Sequence, residues 1–450
     1  MTSGDKKLRV AVTGFVSSHA GSVAAANALL IRGLLNRECA IHFFSKASFV
    51  DPRPIVGDHP FFQFTDVDNF LADRLRARTR RWPLVGLVAA QMDSGSYNRL
   101  LARSIRQQHE QRPFDVCLWL GDYARGRVNG LPALSFVQGP PGTDARSILR
   151  HQHKIAELAG RLKAAQLNLL ARVRLSPLGV PPISCSDHLV VGSKQSVKTL
   201  HSLYNVPGSR ISCLPYPIDL HLFSPRHLPL AKATGLRCIW IGRIIPRKRL
   251  DLFLDAAALA IQNGIDLRVT IIGSAMLVPE YERLIHQFPF PDRLTWQRSM
   301  PRLQIPELLA RHDLLVQPSE EENFGSSVAE AQACGLPVIV GATNGNSDYL
   351  SACDIRLPDY EVGSLAKALS EMAVRKMEGR LTDKVKSRQC AEQHFALENI
   401  VDKLLEILQQ SAGEAKPGHS KDLSRTSTGA VTIGTRQMHD ARLVNKGHYS

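Results

Sequence analysis

PSEEENFGSSVAEAQACGLP, residues 318–337, is the stretch of this 450-residue chain that says most about its fold. The apolar segments HDLLVQ (312–317) and PVIVG (337–341) flank it, and its FGSS turn opens a helix. A strand, a glycine turn, a helix and a second strand predict one βαβ unit of a parallel sheet. The turn would present free backbone N–H groups between Glu322 and Glu330. That combination suits a ligand that carries both phosphate and hydroxyl groups.

The same alternation of apolar strands and amphipathic helices continues through both halves of the chain. The helix after residue 249 keeps a 3.6-residue apolar period and stops at Asn263-Gly264. The predicted strands of the first half are 8–15, 39–45, 115–120, 132–138, 188–193 and 210–215. Those of the second half are 236–242, 267–273, 293–297, 312–317 and 337–341. Two such arrays predict an α/β protein with two doubly wound, Rossmann-like domains that face a cleft.

These patterns divide the chain into four parts. We assign residues 1–215 to a first domain and 216–390 to a second, joined through the proline-rich segment 214–225. The helical segment 391–410 is expected to return to the first domain. Residues 411–450 are rich in Ser, Gly, Thr, Lys and Arg, which predicts a disordered basic tail.

Composition limits the possible partners and compartment. Lys and Arg outnumber Asp and Glu by 56 to 41, which favours an anionic partner such as a phosphate compound or an acidic membrane surface. The sequence lacks a basic face interleaved with aromatic residues, the pattern that would indicate nucleic-acid binding. The 8 cysteines are scattered without a CxxC motif, so we expect free thiols in a reducing compartment. No apolar run reaches about 18 residues, so we expect a cytoplasmic protein without a membrane span.

Two cations accompany the glutamates. Arg243 follows Gly242 at the end of a predicted strand, and Lys248 lies five residues further on. Ligands of open α/β sheets bind at the carboxyl ends of the strands, so these cations and the glutamates should meet at one edge. A diphosphate would contact the cations, and sugar hydroxyls would contact a carboxylate. The neighbouring charged residues are assigned to the solvated surface: Arg247, Arg249, Glu320 and Glu321.

Over roughly residues 8–408, the chain resembles the retaining glycosyltransferases of the GT-B fold, in particular glycosyltransferase family 4. Five elements carry the resemblance: Gly242-Arg243 with Lys248, Gly273-Ser274, Pro318-Ser319, Glu322-Asn323-Phe324-Gly325, and Glu330-Ala331 with Gly335-Leu336-Pro337. The resemblance implies a nucleotide diphosphate sugar as donor, bound mainly by the second domain, with the acceptor on the first. It also implies that no resident cofactor takes part.

The resemblance also assigns roles to single residues. Arg243, Lys248 and Glu322 would be catalytic, the two cations on the diphosphate and the glutamate on the sugar. Glu330 would accept hydrogen bonds from the ribose hydroxyls. The remaining substrate-binding residues would be Gly21, Gln138, Gly242, Asn323, Phe324, Gly325 and Ser326. Because Arg and Lys neutralise the diphosphate, we expect no metal ion in the reaction.

One position departs from the family pattern. Family members often have a histidine after the strand at 132–138, where this chain has Gln138, which cannot titrate near neutral pH. His19 could partly substitute for it. Two other classes of protein therefore stay open: a non-catalytic nucleotide-sugar-binding GT-B scaffold, and a GT-B isomerase or phosphorylase.

Two basic segments of the first domain have two interpretations. Residues 70–90 place five arginines ahead of an apolar run, and residues 150–174 form a basic helical stretch. They could lie on an anionic bilayer, making the protein peripheral at the membrane's inner face, or cover the sheet with their apolar side in the core. The first interpretation would suit a glycan or lipid-linked acceptor for cell-surface polysaccharide.

Overall fold

The computed structural model describes residues 7–16, 22–47, 50–67, 83–176, 179–226, 235–381 and 384–414, and for 22 and 83–96 the backbone alone. Several sequence predictions lie outside these ranges. They concern His19 and Gly21, the arginines between residues 74 and 81, and nearly all of the predicted tail at 411–450.

The first domain contains a seven-stranded sheet in which every neighbouring pair is parallel. Its strands are β1 (Arg9–Gly14), β2 (Ala40–Ser45), β3 (Phe62–Asp66), β4 (Val116–Gly121), β5 (Ala133–Val137), β6 (His188–Val191) and β7 (Ile211–Cys213). They lie in the order β3-β2-β1-β4-β5-β6-β7. The strand order reverses between β1 and β4, which opens a crevice at their carboxyl ends.

The second domain repeats this arrangement with six parallel strands. They are β8 (Leu236–Ile241), β9 (Leu267–Ile272), β10 (Leu294–Gln297), β11 (Leu314–Gln317), β12 (Val338–Val340) and β13 (Ile355–Arg356). The order β10-β9-β8-β11-β12-β13 reverses between β8 and β11. The predicted pair of doubly wound domains is therefore confirmed. β3 and β13, too short or too polar to stand out in the sequence, were not predicted.

Helices connect the strands and cover both sheets. In chain order they are α1 (Ser22–Asn36), α2 (Arg53–Val56), α3 (Pro83–Gln111), α4 (Thr143–Arg150), α5 (Gln152–Ala159), α6 (Arg161–Leu175), α7 (Lys194–Tyr204), α8 (Leu250–Gln262), α9 (Arg283–His286), α10 (Ile305–Ala310), α11 (Ser326–Ala333), α12 (Val362–Met377), α13 (Lys384–Phe395) and α14 (Leu397–Glu414). All residues of β5, β11 and β12 are buried. Strands covered on both faces explain the continuous apolar runs of the sequence.

Two sets of helices join the domains. The apolar sides of α4, α5 and α6 are buried in the core cluster built around β8, β9 and α8, although these helices precede β6 in the chain. The core therefore holds only the apolar side of the basic stretch 150–174, at Ile155, Leu158, Ala164 and Ala171, and Leu162, Leu169 and Val173 remain exposed on α6. α14 packs against α1, where Asp402 accepts a hydrogen bond from Arg37 at 2.7 Å.

Candidate active site

The site lies where β8 and β11 end, at the reversal of strand order in the second sheet. The loop after β8 carries Arg243 and Lys248, and the loop after β11 carries Glu322. Gly273, which follows β9, packs against the start of the β8 loop, and a Cβ there would clash with the carbonyl oxygen of Gly242. The structure thus brings together the three residues predicted to be catalytic.

Two cavities meet at this point. The larger, of about 550 Å³, is bounded by second-domain residues and by Phe15, Val23 and Ala24 of the first domain. The other, of about 500 Å³, is bounded mainly by the segment 138–145 and the end of α6. Five residues border both cavities: Gln138, Arg243, Arg247, Glu322 and Asn323. Two ligands, one in each cavity, would therefore meet at these side chains.

Glu322 is buried between two cations. Its carboxylate pairs with Lys248 and accepts a hydrogen bond from Arg247 at 2.8 Å. Burial alone would raise the pKa of Glu322, but the charges and hydrogen bonds of Arg247 and Lys248 outweigh it and hold that pKa at about 2. Glu322 is therefore an anion across the physiological pH range and is fixed in position.

The cations differ in exposure and partners. Burial, followed by the positive charges of Arg247 and Arg243, lowers the pKa of Lys248, and Glu322 offsets only part of this effect. Arg243 is exposed at the junction of the cavities and has no ion pair among the described residues. A phosphate that enters the site could therefore contact Arg243, which faces solvent, and Lys248, whose charge is only partly compensated by Glu322.

The start of α11 faces the larger cavity. Gly325 precedes the helix with φ 73°, a left-handed conformation that favours glycine, and Ser326 and Ser327 line the cavity. The Asn346 amide donates to the Gly325 carbonyl at 2.8 Å and so holds the turn. The first N–H groups of a helix have no partners within it, so this end favours an anion.

The side chains of two predicted substrate-binding residues make contacts within the protein. Asn323 accepts a hydrogen bond from the Gly192 N–H at 3.1 Å and donates one to the Val137 carbonyl at 3.2 Å. Phe324 is buried against the rings of Tyr216 and Phe395. Both side chains tie the β11 loop to neighbouring elements, and both also line the larger cavity.

Glu330 lies deeper in the larger cavity. It is buried and forms an ion pair of 2.6 Å with Arg302. Burial raises the pKa of Glu330, and the adjacent Arg302 limits the rise. Arg302 also lines the cavity, so the pair presents a carboxylate and a guanidinium to one ligand. The sequence reading missed Arg302, although its place just after β10 in MPRLQIP was an available signal.

The assignment of four charged residues to the solvated surface was wrong. Arg247 and Glu320 are buried, at 8% and 4% exposure, and Arg249 pairs with Glu320 at 2.7 Å. Arg247 also donates to Asp144 on α4 at 2.6 Å. Glu321 accepts hydrogen bonds from Arg146 at 3.0 Å and from Arg150. These charges form a network because α4 folds back onto the β8 and β11 loops, which the sequence did not indicate.

The wall of the larger cavity contains two further polar groups near the boundary of the domains. Gln138 follows β5 and borders both cavities. Tyr216 is stacked on Phe136, with ring centroids 4.5 Å apart, and its hydroxyl has no hydrogen-bond partner. Tyr216 lines the larger cavity, but that hydroxyl oxygen is itself buried. In the sequence Tyr216 was read only as part of the connection between the domains.

The described parts of the chain contain neither a metal-binding group nor a membrane-spanning helix. No three His, Cys, Asp or Glu side chains there are grouped as ligands for a metal ion. None of the helices described there combines the length and apolar character that crossing a membrane requires.

The second domain resembles a known protein family. Residues 230–394 match the family model of glycosyl transferases group 1, which places the β8 and β11 loops inside the match. A curated relative, the D-inositol 3-phosphate glycosyltransferase of Mycolicibacterium smegmatis, is 28% identical over 253 residues, 54% of this chain and 57% of the relative. The chain spans about half the length of the curated relatives it matches.

Solved structures establish the fold. Anabaena HepE in complex with UDP and glucose superposes with a TM-score of 0.59 at 14% identity, covering 89% of this chain and 99% of HepE. WaaG, a glycosyltransferase involved in lipopolysaccharide biosynthesis, gives 0.57 at 15% identity, covering 89% and 99%. Over this coverage the two domains have the GT-B arrangement.

Proposed function

We propose that this protein is a retaining, metal-independent glycosyltransferase of family 4, which transfers a sugar from a nucleotide diphosphate sugar to an acceptor in the cleft. The observation that carries the proposal is the convergence of Arg243, Lys248 and Glu322 at the junction of two cavities. The match of residues 230–394 to glycosyl transferases group 1 supports it. The complex of HepE with UDP and glucose supports a UDP-sugar as the first donor to test.

The charges suit the departure of a nucleoside diphosphate. When the bond between sugar and phosphate breaks, the leaving diphosphate gains negative charge, and fixed cations stabilise it most at that stage. A unit-charge contact near 4 Å contributes roughly 4 kcal/mol at an effective dielectric of about 20. About 1.4 kcal/mol changes a rate tenfold, so Arg243 and Lys248 suffice without a metal ion or resident cofactor.

Glu322 orients the reaction. Because Arg247 and Lys248 hold its carboxylate, Glu322 accepts hydrogen bonds from sugar hydroxyls and is poorly placed as a covalent nucleophile. Glu330, held by Arg302, accepts from the ribose hydroxyls further along the same cavity. The acceptor enters the smaller cavity past Asp144 and Gln138. Retention of configuration rests on the family resemblance.

The acceptor side suggests where the protein works. We assign it to the cytoplasm, in peripheral contact with an anionic membrane face, and to the synthesis of a cell-surface glycan on a lipid-linked intermediate. The exposed Leu162, Leu169 and Val173 on α6, close to basic residues, support this assignment. WaaG, which shares the fold, acts in lipopolysaccharide biosynthesis.

A panel of nucleotide sugars tests the enzymatic proposal. The purified protein is incubated with each sugar, with and without EDTA, and nucleotide release is measured. We expect release from at least one donor, unchanged by EDTA, and a loss of roughly 100-fold or more in Lys248→Ala, as for other deleted transition-state contacts. Lys367→Ala, which removes an exposed lysine on α12, serves as the matched control.

The same assay separates the alternatives. A scaffold would bind UDP in calorimetry without releasing nucleotide from any donor. An isomerase would change the sugar while the nucleotide sugar stayed intact, which NMR of the mixture detects. Release that persists in Lys248→Ala would refute the role given to this lysine. An inverted anomeric signal in the product would refute retention.

A further inference from the structure

A second basic feature lies on the first domain, outside the site described above. A groove of about 440 Å³ separates α3 from the loop that follows β4. Five of its nine lining residues are arginines, and none is Asp or Glu: Asn98, Arg99, Ala102, Arg103, Arg106, Gln107, Arg125, Gly126 and Arg127. We call this feature the arginine groove.

The fold holds these like charges together. Arg99, Arg103 and Arg106 are spaced by four and three residues on α3, so they share one face of the helix. The opposite wall approaches closely at Gly126, where a Cβ would lie 3.0 Å from the Cβ of Ala102. Like charges three or four residues apart destabilise a helix, so this cluster lowers the stability of α3. The stability of the fold therefore gives no reason for the cluster.

The protein compensates only part of this charge. Arg127 pairs with Asp187 at 3.1 Å, and Arg125 pairs with Asp122 at 3.3 Å. Among the described residues, no carboxylate pairs with Arg103 or Arg106, both of which are exposed. The Nε of Arg125 is buried and has no hydrogen-bond partner. Arg103 and Arg106 therefore leave the groove with two exposed guanidinium groups that no described carboxylate pairs with.

Arg125 connects this groove to the candidate active site. It lines both the arginine groove and the 500 Å³ cavity that contains Asp144, Gln138 and Glu322. Arg174, at the end of α6, adds another cation to that cavity. A molecule with its reacting hydroxyl at Glu322 could therefore extend past Arg125 and place an anionic group in the groove.

We propose that the arginine groove binds a phosphate group of the acceptor, so that the enzyme acts on a phosphorylated acceptor. This inference rests on the proposed function and deepens it. A phosphate or diphosphate concentrates two or three charges in one small group, whereas a carboxylate carries one, and guanidinium groups bind phosphate oxygens in a bidentate manner. Several arginines around one small volume therefore match phosphate better than a carboxylated glycan. The phosphate can belong to a soluble sugar phosphate or to a lipid headgroup.

Inorganic pyrophosphate is the first probe. Calorimetry is carried out on the full-length protein saturated with UDP, so that the donor site is already filled. Wild type should bind pyrophosphate, and Arg103→Gln/Arg106→Gln should bind it at least roughly tenfold more weakly, since charged hydrogen bonds are lost. Arg268→Gln/Lys367→Gln, which removes two exposed charges of the second domain, should bind like wild type. Circular dichroism checks that both variants are folded.

Vesicle binding distinguishes the two sources of phosphate. The fraction of protein that sediments with phosphatidylglycerol vesicles is measured, with phosphatidylcholine vesicles as the reference. If the phosphate is a lipid headgroup, Arg103→Gln/Arg106→Gln should bind less to the phosphatidylglycerol vesicles than wild type. If the acceptor is soluble, the two proteins should bind equally. UDP binding without any uptake of pyrophosphate or anionic vesicles would overturn this inference and leave the proposed function standing. Pyrophosphate binding that is equal in both double variants would also overturn it. A wild-type protein that binds no UDP would instead refute the proposed function.

Discussion

Replacing Glu322 by Gln tests the electrostatics of the site directly. The substitution keeps the size of the side chain and its ability to accept hydrogen bonds but removes its charge. Lys248 then loses its anionic partner while it stays buried, whereas Arg247 keeps Asp144. We therefore expect the variant to be less stable than wild type at neutral pH, in addition to any loss of donor turnover.

The size of the effect follows from the pKa of Glu322. The fold lowers this pKa from 4.5 to about 2, which corresponds to about 3 kcal/mol of free energy of unfolding at pH 7. Because the folded-state pKa is depressed, the stabilisation is present above pH 4.5 and is lost as the pH falls towards 2. By linkage, about half of it should be gone at pH 3.

Urea-induced unfolding, followed by circular dichroism from pH 7 to pH 3, measures this effect. Wild type and Glu322→Gln should differ by about 3 kcal/mol at pH 7 and progressively less below pH 4.5. Glu307→Gln is the control, because its ion pair with Arg311 is exposed and should contribute less than about 1 kcal/mol. Equal stabilities of wild type and Glu322→Gln at pH 7, or a difference that persists unchanged at pH 3, would refute the reasoning.

Two further substitutions address the neighbouring contacts. Asn323→Ala should lower the free energy of unfolding by about 1–3 kcal/mol, because Val137 and Gly192 each lose a buried hydrogen-bond partner. Urea unfolding measures this free energy, with Asn129→Ala on the exposed loop as the control. Equal losses of stability in the two variants would contradict a role for Asn323 in joining the domains. Glu330→Gln should weaken UDP binding roughly tenfold, because the ribose hydroxyls lose an anionic acceptor. Calorimetry against Glu307→Gln checks this, and an unchanged UDP affinity would exclude the ribose contact.

The sequence predicted the parts of the fold that depend on local patterns. Apolar runs such as those of β5 and β11 were found because strands buried on both faces need no polar alternation. β13 has only two residues, and the apolar residues of β3 alternate with polar ones, so neither forms such a run. The meeting of Arg243, Lys248 and Glu322 was predictable because the geometry of parallel sheets fixes which strand ends lie together.

What the sequence concealed depends on contacts between distant segments. Arg247 and Glu320 look like surface residues until α4 is seen to fold back, which brings Asp144 and Arg150 onto the loops of the second domain. The hydrogen bonds that Asn323 makes with Val137 and Gly192 are equally invisible in the sequence. No local pattern in a single sequence specifies such pairings, because each partner lies more than 100 residues away.

These long-range contacts explain how one loop can serve both domains. The β11 loop fixes Asn323 on the first domain while it holds Glu322 against the cations of the second. Glu321 in the same loop has φ 47°, an unfavourable conformation for a residue with a side chain, which hydrogen bonds to Arg146 and Arg150 maintain. A separation of the domains would break the Asn323 hydrogen bonds and shift the loop, and with it Glu322. The geometry of the proposed catalytic residues and the relative position of the domains are therefore set by the same few residues, so a substitution at Asn323 should also displace Glu322.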